Sequence, residues 1–117
     1  KILFYKNMNI KKQTIDEKYV IKFTAEIDDK DAGRAFLYLI YNDLHAEPYA
    51  LLEDVFVEGE YRSQGVGREL VKAVIEEAKG LGCYKLIGTS RHSRENVHRF
   101  YKSLGFKDHG VEFRIDF

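Results

Sequence analysis

The segment Arg62-Ser63-Gln64-Gly65-Val66-Gly67-Arg68 combines two features that suit an anion. Glycines at 65 and 67 carry no Cβ and let a ligand approach the backbone closely. The apolar spacing that follows predicts a helix, whose first turn presents N–H groups without intrahelical acceptors at the positive end of the helix dipole. Arg62 and Arg68 add charge on either side. The Lys-Ser/Thr pair of a Walker loop is absent, and so is the third glycine of a dinucleotide fingerprint. A glycine pair also serves as a plain tight turn from strand to helix, so these residues alone leave both readings open.

A second constellation lies just upstream. Glu53 and Asp54 interrupt the otherwise apolar run Leu51-Leu52-Glu53-Asp54-Val55-Phe56-Val57, and two carboxylates inside a strand need a reason. In a regular strand they point to opposite faces, so they differ in role. They belong to an acidic block, with seven acidic groups and one basic between residues 31 and 60, and a basic half opens at Arg62. The block is either a set of solvated faces or a site where a cationic substrate meets an anionic cofactor. His45, His92, His98 and His109 show no metal-ligand spacing, and Cys83 is the one thiol, so no metal is expected. Cys83 reads as a small buried residue before a strand.

The elements that must position these residues follow from periodicity. Tyr19, Ile21, Phe23, Ala25 and Ile27 alternate with polar residues as a strand, and Asp28-Asp29-Lys30-Asp31 makes a polar turn. Residues 35–41 and 50–58 read as two more strands. Val66, Leu70, Val71, Val74, Ile75 and Ala78 form one helical stripe of about fifteen residues, with Lys79 and Gly80 as its stop. Residues 84–89 read as a short strand. Val97, Phe100, Tyr101 and Leu104 mark a second helix between Ser93 as cap and Gly105 as stop. Val111, Phe113, Ile115 and Phe117 alternate as a last strand. The order implies one α/β domain over residues 1–117, antiparallel at first, with a strand-helix-strand-helix-strand second half.

Composition narrows the class. The chain has 117 residues, 19 basic and 19 acidic groups and hence a formal charge of zero, so it has no overall pull on nucleic acid or an anionic membrane. With 44% hydrophobic and 14% aromatic residues it is too apolar for disorder. No apolar run approaches the roughly twenty residues of a membrane span. A lone thiol and no signal-like start suggest a cytoplasmic setting. The first residue is Lys1, so native residues can precede it.

Arg62-x-x-Gly65-x-Gly67 resembles the Arg/Gln-x-x-Gly-x-Gly/Ala motif of the GCN5-related N-acetyltransferase (GNAT) superfamily. The stretch Leu52 to Arg62 is similar to the strand and loop that lead into that motif. Glu95 to Phe106 looks like the family's second cofactor helix. The resemblance implies a mixed central sheet and transfer of an acetyl group from acetyl-CoA to a primary amine by direct attack. An alkylammonium has a pKa near 10.4, so roughly one molecule in a few thousand is nucleophilic at pH 7 and a carboxylate or water must take the proton. The resemblance assigns that task to Glu53, with Asp54 beside it for the amine, and assigns protonation of the CoA sulfur to Tyr101. It implies main-chain contacts of Val55, Phe56 and Val57 with pantetheine, and pyrophosphate contacts from Arg62, Ser63, Gln64, Gly65, Val66, Gly67 and Arg68. Where many members have Asn this chain has Arg94, with Asn96 two residues later as the cofactor contact.

The family also inserts two helices after its first strand, and the polar residues Asn7 to Glu17 are too few for them. An acceptor site that is unusually open, completed by a partner subunit in a homodimer, or partly outside this sequence is therefore expected. The acceptor is a small-molecule or peptide amine, held near Asp43, Glu47, Glu53 and Asp54. The competing reading is a catalytically inactive CoA-binding regulatory or interaction module.

Overall fold

The computed structural model describes residues 7–16 and 19–117. The chain divides into two compact units, Lys1–Ile87 and Gly88–Phe117. In the first, strands β1 (Met8–Asp16), β2 (Val20–Ile27), β3 (Lys30–Ile40) and β4 (Tyr49–Val57) pair antiparallel in sequence order, and β5 (Leu86–Gly88) follows at the far edge. Tyr84 N–H donates to Pro48 O and Ala50 N–H to Lys85 O, so β5 runs parallel to β4, as a strand-helix-strand crossover requires.

The β2–β3 hairpin turns on Asp28 and Asp29, both left-handed with φ of 51° and 64°. Two such residues twist a tight hairpin in the sense its strands need, and short polar side chains tolerate that region. Alternation then buries Ile21, Phe23, Ala25 and Ile27 of β2 beside Ala35, Leu37 and Leu39 of β3 and Ala50 and Leu52 of β4. Helix α1 (Val66–Gly80) lays Val66, Leu70, Val71, Val74 and Ala78 on this face. Lys12 Nζ meets Glu77 Oε1 at 3.1 Å and ties β1 to α1.

Four expectations are corrected. Tyr19 is not on the buried face; it precedes β2 and is exposed, its ring edge-on to Tyr41. The polar stretch after Asn7 is not a connection but β1, an edge strand whose lysines suit an unpaired border. The stop of α1 is not Gly80, which is helical, but Gly82 at φ 78°. Residues 111–117 alternate but form no strand, and Phe113 and Ile115 stand 90% and 77% exposed. Alternation supplies a pattern; only a hydrogen-bonded neighbour makes it a strand. Among the described residues no α-helix precedes α1, and because Met8–Asp16 is itself a strand, the shortness of that stretch is no measure of any helices ahead of it.

The second unit holds α2 (Glu95–Ser103). Its N-cap is Arg94 and lacks a side-chain bond, so Ser93 does not cap it, whereas Gly105 at φ 100° ends it as expected. Leu104 N–H and Phe106 N–H both donate to Tyr101 O.

Candidate functional site

The site begins with an irregularity in β4. Phe36 pairs with Glu53 and Arg34 with Phe56, so Asp54 and Val55 both oppose Ala35 in a β-bulge, with Asp54 left-handed at φ 53°. Directly opposed residues share a face of the sheet, as do residues two apart in one strand. Arg34 and Phe36 therefore bring Glu53 and Phe56 to the same face, which a regular strand would have separated. The expectation that Glu53 and Asp54 alternate across a regular strand is corrected: the strand is irregular at that point, and Asp54 is exposed at the bulge.

Gly33 lies beside the bulge where the strands fit closely. It pairs with Val57 on the α1 side, and a Cβ there would stand 2.7 Å from Phe56 O and 3.1 Å from Leu70 Cδ1. Beyond the bulge β4 also outruns its neighbour β5 in the sheet. The three-residue β5, counted forward from the contact of Lys85 with Ala50, accompanies β4 no further than about Glu53.

The loop that follows is held by its own side chains. Gly59–Tyr61 is one 3₁₀ turn, and Glu58 N–H donates to Ala32 O. Arg62 Nε donates to Val57 O at 2.9 Å, and Gln64 Nε2 donates to Glu60 O at 3.2 Å. Ser63 is left-handed at φ 62°, and Gly65 at φ 89° is the N-cap of α1, without a side-chain cap bond. The first intrahelical bond is Glu69 N–H to Gly65 O. The amides of Val66 and Gly67 are thus first-turn donors that the helix does not use. Val66 is buried and can offer only its main chain.

Other expected residues are placed as follows. Asp43 and Glu47 are exposed in the loop between β3 and β4, ahead of Tyr49 and about 13 Å or more along the strand from Glu53, so the acidic block does not gather. In the second unit Asn96 and Arg99 are exposed, and the Tyr101 ring lies 5.6 Å from that of Phe100 and 5.1 Å from that of Phe106. Cys83 is half-buried, and desolvation pushes its thiol pKa up, which disfavours the nucleophilic thiolate. Among the described residues no cluster of His, Cys, Asp and Glu could hold a metal ion, and no helix is long and apolar enough to cross a membrane.

Sequence reasoning missed Gly33, Arg34 and Phe36. Arg34 carried a signal: it is the one basic residue of the acidic block.

A mixed sheet whose bulged fourth strand leads through a left-handed glycine into a helix N-terminus defines an α/β class with helices packed on the sheet. Residues 4–106 match the acetyltransferase (GNAT) family, and the chain belongs to it. It is 38% identical over 65 residues to glucosamine 6-phosphate N-acetyltransferase of Trypanosoma brucei brucei, covering 56% of this chain and 42% of that protein. Thialysine N-epsilon-acetyltransferase of Bos taurus is 39% identical over 57 residues, 49% of this chain and 34% of the relative. The chain thus spans less than half the length of these relatives. The crystal structure of a Trypanosoma brucei acetyltransferase superposes with a TM-score of 0.78 at 26% identity, covering 86% of this chain and 71% of that one.

Proposed function

We propose that the chain transfers an acetyl group from acetyl-CoA to a primary amine of a small molecule or peptide. One observation carries the reading: the first-turn amides of α1 have no side-chain cap, and they follow a bulged β4 that the short β5 accompanies only to about Glu53. Acetyl-CoA, when bound, supplies an acyl carbon bonded to a thiol leaving group. Residues Ser63 to Arg68 suit its pyrophosphate through their main chain. Val55, Phe56 and Val57 suit its pantetheine amides as a strand suits an added strand. Arg62 serves by fixing the loop to Val57, which keeps the amides in place.

Glu53 takes the proton from the attacking ammonium, directly or through a water, and Asp54 borders the amine. Tyr101 returns a proton to the sulfur, a role that rests on the motif; Asn96, two residues beyond the position where many members have Asn, contacts pantetheine. Titration with CoA is the first test, and no heat at millimolar CoA would overturn the reading. Glu53→Gln is expected to lower turnover and flatten the pH–rate profile below about pH 8. Tyr101→Phe is expected to lower turnover by more than tenfold while CoA affinity changes by less than about threefold. The alternative is a CoA-binding regulatory or interaction module without turnover. Binding without acetylation across a broad amine panel would favour it.

A further inference from the structure

The face of the sheet that carries Glu53 is the one α1 does not cover, and its charges are legible row by row. One row across the strands is Gln13, Lys22, Phe36 and Glu53; the next is Lys11, Thr24, Arg34 and Phe56. Lys11 is satisfied: its Nζ meets Glu26 Oε2 at 2.9 Å, and that carboxylate raises its pKa. Lys22 and Arg34 differ. Neither has a carboxylate within ion-pair distance among the described residues. Lys22 Nζ lies 5.8 Å from the Phe36 ring centroid and the Arg34 guanidinium 4.7 Å from that of Phe56. The Arg62 guanidinium approaches the same Phe56 ring at 5.5 Å.

An aromatic ring attracts a cation through its face and satisfies none of its N–H donors. Two guanidiniums against one ring repel each other unless an anion stands between or beside them. Any polycation docking its amine at Glu53 would meet Lys22 and Arg34 as like charges, and Asp43 and Glu47 lie too far along the strand to offset them.

Building on the acetyl-transfer reading, we propose that the acceptor carries an anionic group, a phosphate or a carboxylate, in addition to its reacting amine. The amine lies at Glu53 and the anion at Arg34 and Lys22. β4 and β2 are two strand spacings apart, about 9.5 Å, and Arg34 is on the strand between them. That span fits a compact bifunctional molecule, such as a phosphorylated amino sugar or a basic amino acid, and not a polyamine.

Matched pairs test this. The full chain is titrated, with CoA present, with glucosamine 6-phosphate against glucosamine and with lysine against 1,5-diaminopentane. The anionic member of each pair is expected to bind about tenfold tighter at low ionic strength, with the ratio shrinking as salt is added. In the double variant Lys22→Gln, Arg34→Gln the ratio falls to about one, and Arg34→Lys retains part of it; thermal melts verify that the variants fold. Equal or tighter binding of the members without an anion, or a ratio the variants leave intact, would overturn the inference. Release of CoA from acetyl-CoA in the same mixtures reports on the underlying reading separately. Selective binding without release would overturn acetyl transfer alone, and release without selectivity would overturn the anionic acceptor alone.

Discussion

Asp54 sits in the left-handed region, which Asp enters more readily than most residues because its short side chain can bond locally. That backbone duty is already a reason for an acidic residue in an apolar strand, separate from any contact with an amine. The two roles are separable by substitution. Asp54→Val adds a β-branch to a left-handed residue and is expected to lower stability by about 1–2 kcal/mol in urea unfolding. Asp54→Gly keeps the conformation, removes the carboxylate and is expected to leave the midpoint within error. A several-fold rise in amine KM for Asp54→Gly at unchanged midpoint would show that the carboxylate touches the acceptor as well. The pair of carboxylates was legible in the sequence, but the bulge was not. Nothing in Leu51-Leu52-Glu53-Asp54-Val55-Phe56-Val57 marks a change of register, and without it Glu53 and Phe56, three residues apart, fall on opposite faces. The grouping of Arg34, Phe36, Glu53 and Phe56 therefore had to come from pairing, which is a property of two strands and not of one.

Elements were readable where one residue pattern had one physical solution. The apolar stripe of α1 has a period no strand can bury, and Asp28-Asp29 between two alternating runs is a hairpin by turn chemistry. β1 was missed because its apolar face is short: of Met8, Ile10, Lys12 and Thr14, which turn toward the α1 side, only the first two are apolar, and Asn9, Lys11 and Gln13 opposite are polar. An edge strand draws its stability from backbone pairing, which leaves little trace in composition. The close fit of β3, β4 and α1 at Gly33, beside the bulge, is likewise invisible in sequence. Gly33→Ala places a methyl 2.7 Å from Phe56 O, an atom of the backbone that cannot rotate away. The substitution is expected to destabilise by about 1–3 kcal/mol. It should also weaken CoA binding, because relief of the clash moves β4 at the point where it outruns β5. Chemical denaturation and CoA titration of the same preparation check both effects, and an unchanged midpoint would mean that β3 shifts without strain.

At the scale of the whole molecule the zero net charge conceals two different distributions: exposed carboxylates in the β3–β4 loop, and cations along the face of the sheet opposite α1. The chain also divides into units of unequal cohesion. α1 has five buried residues against the sheet, whereas α2 has nine residues and none that is fully buried. A helix shorter than about 12–15 residues is marginal without burial. Amide hydrogens of Glu95–Ser103 are therefore expected to exchange at least tenfold faster than those of Leu70–Ala78 in the ligand-free chain. Adding CoA should slow exchange at residues 65–70, where the main chain of the loop is proposed to hold pyrophosphate. If Asn96 and Tyr101 also engage the cofactor, residues 95–103 gain protection over the same concentration range, since one ligand then links both units. Protection at the loop alone would remove Asn96 and Tyr101 from the site and leave the phosphate loop in place. Protection at neither would remove the cofactor, and with it the chemistry assigned to Glu53.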